Sequence, residues 1–361
     1  MKSGPNSHIK ELDALRGIAA VIVSCFFHIH YLLGGDRTGP LDGTPVFTWI
    51  YEYGWTMVDL FFVISGFVFS HVYLRDGAFR KDVSTRSFTI ARFARLYPLH
   101  ILATLLVIPA LLLGADIEGN LDNFDLYHFI LNLLMLQESG LNNGLSYTVV
   151  SWSLSVEVYC YAIFLIAALM GRRALFGVAV VAILGGIVLA IATGSSGTHI
   201  ARGFVGFFAG YFAWRLRNLD ISWQVLLIVV VAPLFWHPEG ITYGIVLGLT
   251  SFPALVLLSL RVPVLRASVF QWFGDRSYSI YLLHPVIYFF GSALLFDARR
   301  APPDIAPFVW IGSVVLLFCV ADLSFRYFET PMRRWLRQKL DPIDVRNAPV
   351  SSPRRVASGA T

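Results

Sequence analysis

The chain has 361 residues, 56% of them hydrophobic and only 14% charged, with a formal net charge of +5. A soluble domain carries about 25% charged residues, so this composition excludes one and indicates an integral membrane protein. The small positive excess gives no basis for nucleic-acid binding. Cys25, Cys160 and Cys319 stand far apart inside apolar runs, which argues against a disulfide framework or a metal site; no metal is expected.

A membrane-crossing helix needs about 20 apolar residues. Such runs fall at roughly 12–33, 56–74, 96–114, 150–170, 174–193, 200–216, 221–236, 241–260, 277–296 and 305–325. The expected fold is all-α, a polytopic transmembrane helix bundle of about ten spans. The first run exceeds a signal-peptide core and lacks a small-residue cleavage site, so it is read as a span. Between the third and fourth runs, "FDLYHFILNLLMLQ" (124–137) is apolar but short.

Charge decides whether that segment crosses. The basic clusters are "RDGAFRKDVSTRSFTIARFAR", Arg172 with Arg173, Arg215 with Arg217, Arg261 with Arg266, and "MRRWLRQK". The acidic loops carry Asp36, Asp42 and Glu52, then Asp116, Glu118 and Asp122. Cations favour the cytoplasmic side, and the clusters alternate correctly only if 124–137 does not cross. Both termini are then cytoplasmic. Residues 1–340 read as one integral membrane domain and 341–361, rich in Pro, Ser and Ala, as a disordered cytoplasmic tail. There is no internal repeat and no inverted pair of broken helices, which counts against a transporter.

The informative residues are polar ones inside apolar runs. In "LDALRGIAAVIVSCFFHIHYLL", Arg16 lies near the inner interface and His28 about 18 Å further across. Arg16 reads either as a snorkelling anchor or as a binding group for anions, since it stays protonated. His28 titrates near neutrality and suits a general base. Arg92 and Arg95 in "RFARLYPLH" share a helix face and offer donor forks for phosphate, or serve topology alone. Glu157 in "SWSLSVEVY" follows Trp152 and Ser153 at the outer interface; it orients a histidine, binds sugar hydroxyls or forms an interhelical ion pair. In "GDRSYSIYLLHPVI", Ser277, Tyr281 and His284 form one polar stripe that reads as cavity lining, and Tyr278 reads alone as an aromatic-belt residue. Glu329, beside the last basic cluster, reads as an interfacial ion pair.

In order and wording, "LDALRGIAA", "VDLFFVISGF", "RFARLYPL", "SWSLSVEVY", "SYSIYLLHP" and "FETPMRR" resemble the acyltransferase 3 family of integral membrane acyltransferases, over residues 10–336. The resemblance implies transfer of an acyl group, usually acetyl from acetyl-CoA, to a hydroxyl of a carbohydrate or other extracytoplasmic acceptor. It implies essential roles for Arg16, His28, Arg92 and Arg95. The family usually places ten residues between the arginine and the histidine, about 20° apart around a helix; eleven intervene here, which gives about 120° on an ideal helix. Either a π-type bulge restores the alignment or His30, about 40° from the arginine's face, takes the role.

The sequence therefore leads to a membrane O-acyltransferase. His28, with His30 as rival, and Glu157 are the catalytic candidates, and Arg16, Arg92 and Arg95 the acyl-donor site. Trp152, Ser153, Ser277, Tyr278, Tyr281 and His284 form the acceptor side or line the cavity. No bound cofactor is expected; acyl-CoA is a co-substrate, a glycan or glycolipid the acceptor, membrane lipids the surroundings, and a bacterial inner membrane the location. The rival reading is a transporter or flippase of a lipid-linked sugar.

Overall fold

The computed structural model describes residues 8–33, 41, 43–115, 123–142, 144–193, 198–236, 241–295, 302 and 304–341. They are almost entirely helical. The chain begins with α1 (Lys10–Val21), which runs through a π turn (Ile22–Phe26) and a 3-10 turn (Phe27–Ile29) into α2 (His30–Leu33). There follow α3 (Pro45–Tyr53), α4 (Met57–Tyr73), a hairpin of β1 (Leu74–Arg75) and β2 (Ala78–Phe79), α5 (Thr85–Leu112) and α6 (Leu126–Leu133). Next come α7 (Trp152–Leu169), α8 (Arg172–Thr193), α9 (Thr198–Leu216), α10 (Trp223–Val231), α11 (Ile241–Leu249) and α12 (Ser251–Ser259). The last are α13 (Ser268–Leu295), α14 (Ala306–Ser324), a second π turn (Phe325–Glu329) and α15 (Thr330–Leu340).

Among the described residues, seven stretches are long and apolar enough to cross a membrane: Lys10–Leu33, Pro45–Tyr73, Thr85–Leu112, Val149–Leu169, Arg172–Thr193, Thr242–Ser259 and Ala306–Leu340. The protein is an integral membrane protein. The expected tail lies, after Asp341, outside the described residues, as do Asp36, Asp42, Asp116, Glu118 and Asp122.

Segment 124–137 holds α6, whose eight residues extend only about 12 Å, far short of a hydrocarbon core. Asp125 caps it by accepting from the His128 backbone N–H at 2.8 Å. It runs beside α5, where the Asn132 carbonyl meets His100 at 2.7 Å and the Leu134 carbonyl accepts from Tyr97. The chain turns at Met135, with a positive φ of 54°, and comes back until Thr148 meets Thr104 at 3.1 Å. Both limbs of this segment lie beside α5.

Basic segments gather at one end of the bundle. Arg266 bonds Glu11 at the start of α1, Arg261 donates to the Ile221 carbonyl, and Arg86 donates to that of Leu340. The hairpin's Gly77 lies against the Arg172 side chain.

Two helix seams hold the interior together. A Cβ on Gly274 of α13 would lie 2.4 Å from the Asp13 carbonyl oxygen, and one on Gly17 of α1 would lie 2.7 Å from the Gly274 nitrogen. Only glycine lets α1 and α13 approach this closely. In the second seam a Cβ on Gly66 of α4 would overlap the Phe207 carbonyl of α9 at 1.8 Å. Beside it, Arg202 donates from Nε and Nη2 to Asp59 at 2.8 and 3.1 Å, between the rings of Trp55 and Trp152. Both partners are buried, Asp59 at 1% exposure and Arg202 at 6%. By contrast, α8 and α14 turn apolar residues such as Val181, Ile191, Phe308 and Val315 outward, as lipid-facing helices do.

Two consequences can be measured by thermal unfolding of the detergent-solubilised protein. Gly274→Ala overpacks the α1–α13 seam and is expected to destabilise by about 1–3 kcal/mol. Asp59→Asn leaves the Arg202 charge without its counterion, an expected loss of about 3–5 kcal/mol, most of which the double variant Asp59→Leu/Arg202→Met should recover. A single variant that melts at the temperature of the unmodified chain, or a double variant that melts no higher than Asp59→Asn, would refute the corresponding expectation.

Candidate active site

The π turn lies between Arg16 and His28. A π turn takes one more residue than an α turn, so on otherwise ideal geometry the twelve-residue step turns the helix as eleven would, which corresponds to about 20° between His28 and the arginine's face. The widened turn sheds backbone bonds, and neighbouring helices supply replacements. Tyr288 of α13 donates to the Ser24 carbonyl at 2.6 Å, and Trp310 of α14 donates to the Cys25 carbonyl at 2.7 Å. Beyond the turn, His28 Nδ1 lies 2.8 Å from His284 Nε2, with the rings 14° from coplanar. His284 Nδ1 lies 3.0 Å from the Ser24 hydroxyl. His30 engages its own turn instead, with Nδ1 2.7 Å from the Phe27 carbonyl.

Between this histidine pair and the basic end lie two adjoining cavities. The larger, about 360 Å³, opens among His8, Asp13, His71, Asp275, Glu329 and Arg333. The smaller, about 60 Å³, continues inward past Ser65, Ser153, Glu157, Tyr161 and Tyr281. Arg16, Arg92, Arg95, Ser277 and Tyr278 line both, so three guanidinium groups stand where the cavities meet. Arg92 also lies over the rings of Phe69 and Tyr73, 5.0 and 5.7 Å from their centroids. Its Nε is buried and has no hydrogen-bond partner among the described residues. Arg16 approaches Asp13 at a loose 3.4 Å. Outside the span, His8 bonds the Asp13 carboxylate, which raises its pKa above the ordinary histidine value.

Tyr281 closes the small cavity on its inner side. Its hydroxyl meets Ser153 Oγ and the Val150 carbonyl, each at 2.9 Å, and Phe61 lies against its ring. The next layer is His284, 6.0 Å from Tyr281 between ring centroids. The order along the axis is arginines, then Glu157 and Tyr281, then the histidine pair.

The structure thus brings Arg16, Arg92, Arg95, Glu157, Ser153, Ser277, Tyr278 and Tyr281 to one cavity and joins His28 to His284. It separates others. Glu157 sits with the arginines rather than beside the histidines, and its Oε1 accepts from Ser65 at 2.6 Å and from the Tyr161 hydroxyl. Trp152 stacks on His199 at 4.0 Å and packs over Arg202 in the α4–α9 seam. Tyr278, read as an aromatic-belt residue, lines both cavities and donates to the Leu96 carbonyl at 2.6 Å. Glu329 accepts from Ser279 at 2.9 Å and lines the larger cavity. Sequence reasoning missed Ser24, Ser65, Tyr161 and Arg333. Tyr161 carried a signal, since it follows Glu157 by four residues and shares its helix face.

A family model described as an acyltransferase domain, acyltransferase 3, matches residues 9–322. The chain is 23% identical to the peptidoglycan O-acetyltransferase OatA of Listeria monocytogenes, over 91% of its own length and 56% of that protein's. It is 27% identical to the exopolysaccharide production protein ExoZ of Rhizobium meliloti, over 77% of its length and 89% of that protein's. The chain therefore spans little more than half of the first of these relatives. No solved structure matches it significantly. With most of its length matched, the chain belongs to the acyltransferase 3 family and carries that family's acyltransferase domain.

Proposed function

We propose that this protein is a membrane O-acyltransferase that moves an acyl group, acetyl above all, from cytoplasmic acyl-CoA to a hydroxyl of an envelope polysaccharide. One observation carries the reading: Arg16, Arg92 and Arg95 stand together at the junction of two cavities, in line with Tyr281 and the His28–His284 pair. Guanidinium forks suit the phosphates of coenzyme A, and a cavity that narrows beyond them suits a pantetheine arm. The names of OatA and ExoZ favour a polysaccharide acceptor.

In the reaction, His28 takes the proton of the acceptor hydroxyl as its oxygen attacks the thioester carbonyl. The carbon–sulfur bond breaks, the ester forms, and the proton passes to the leaving coenzyme A thiolate. Glu157, held by Ser65 and Tyr161, sets the position of the arginine-bound donor. His30, bonded within its own turn, takes no part.

The same reading has ten crossings with both termini in the cytoplasm, residues 1–340 as one membrane domain followed by a tail, and a bacterial inner membrane as the location. Support for the count comes from three helices beyond the seven apolar stretches. These are α9 with 19 residues, α13 with 28, and the shorter apolar stretch Trp223–Phe235. Arg202 and the polar stripe of α13 lower the hydropathy of two of them. The gathering of basic segments at one end agrees with the positive-inside rule.

The test is release of coenzyme A thiol by the reconstituted protein, given acetyl-CoA and a pool of envelope glycans. His28→Ala is expected to abolish release and His30→Ala to retain it. Arg92→Ala and Arg95→Ala should each raise KM for the donor about 10- to 100-fold, the worth of a charged hydrogen bond. If no donor yields thiol while the protein carries a lipid-linked sugar across vesicles, the chain is a transporter.

A further inference from the structure

His284 is fully buried in α13, and each of its ring nitrogens has a neighbour: His28 Nδ1 at 2.8 Å on one side and the Ser24 hydroxyl at 3.0 Å on the other. Ser24 Oγ lies in turn 3.4 Å from the Ile280 carbonyl oxygen. A carbonyl can only accept, and that gives the row a direction. If Ser24 donates to Ile280, its oxygen accepts from His284 Nδ1–H. His284 Nε2 then holds a lone pair and accepts from His28 Nδ1–H. All three contacts are hydrogen bonds in this direction. In reverse, Ser24 donates to His284 and His284 to His28, while the Ile280 contact becomes an oxygen–oxygen approach with no proton between. A buried polar row settles in the arrangement that satisfies most of its members.

We infer that Ser24 and His284 are positioning residues that hold His28 in the tautomer with its proton on Nδ1 and its lone pair on Nε2. Nε2 is then the atom that takes the acceptor's proton. Both imidazolium nitrogens carry protons, so His28 keeps its Nδ1–H bond to His284 after the transfer, and no partner has to reorganise. In the reverse direction the Nδ1 lone pair is occupied by His284 and Nε2 already carries a proton, so His28 has no basic nitrogen to offer. The inference rests on His28 being the base.

Nitrogen-15 NMR of the histidine-labelled full chain in nanodiscs separates protonated from lone-pair ring nitrogens, with His28 assigned by its loss in His28→Gln. The expected spectrum has a protonated Nδ1 and a bare Nε2 at His28, and a mixture of tautomers in Ser24→Ala. A proton on Nε2 in the unmodified chain overturns the inference, whatever the activity of His28→Ala. In the thiol-release assay, Ser24→Ala and His284→Gln should lower kcat about 10- to 100-fold, the usual cost of losing a partner that orients a functional histidine. KM for the donor should stay unchanged, and Ser24→Thr, which keeps the hydroxyl, should restore kcat. An unaltered kcat in Ser24→Ala also overturns it. Full turnover by His28→Ala instead defeats the base assignment, and the spectrum still reports the row's direction.

Discussion

The bond between His28 and His284 depends on a backbone irregularity that neither histidine creates. An unbroken helix from Lys10 would carry His28 about 120° from the face of Arg16. The π turn at Ile22–Phe26 removes that offset, and it persists because Tyr288 and Trp310 donate to the carbonyls of Ser24 and Cys25. Those donors belong to α13 and α14. One seam thus supplies the glycine contact that lets α1 approach, the donor that supports the bulge, and the histidine that meets His28.

A second constraint is electrostatic. Three guanidiniums close together repel one another unless anions or solvent stand among them. Here the counter-charges are Asp13 and Glu157, with Asp275 and Glu329 around the larger cavity, and none makes a tight ion pair with the three among the described residues: Asp13 lies 3.4 Å from Arg16, Glu157 accepts from Ser65 and Tyr161, and Glu329 accepts from Ser279. Arg202, by contrast, is neutralised by a two-pronged bond to Asp59. The difference separates an arginine that holds two helices together from arginines without so close a counterion among the described residues, which is what the proposed donor site requires. Depth in the membrane alone would not distinguish them.

Much of the architecture was legible because hydrophobic length is local. Seven of the expected spans coincide with helical stretches long and apolar enough to cross a membrane, and α6 is as short as its sequence implied. The unusual arginine–histidine spacing pointed either to a bulge or to His30 in place of His28, since twelve residues do not fit one helix face, and the structure has a π turn between Arg16 and His28. Partnerships were not legible in the same way. Ser24 and His284 are 260 residues apart, and Asp59 and Arg202 are 143 apart. Nothing in an apolar run says which neighbour it will pack against. Glu157 shows the limit: its depth marked it as polar and functional, but only the packing of α7 against α4 decides that it meets Ser65 rather than a histidine.

The arrangement also separates two chemical environments along one axis. On the side of the basic loops, a cavity of about 360 Å³ is lined by charged groups; beyond Tyr281 stands a pair of imidazoles. Between them the tyrosine hydroxyl, anchored to Ser153 and Val150, leaves only about 60 Å³. That volume holds a couple of water-sized groups and not a nucleotide. A thioester arm is narrow and a polyphosphate is not, so under the proposed reading the constriction would admit the reactive end of the donor and keep its charged end among the arginines. The proposed acyl transfer through a helix bundle, without passage of ions, calls for both features, a charged site at one mouth and a tight polar layer before the imidazoles.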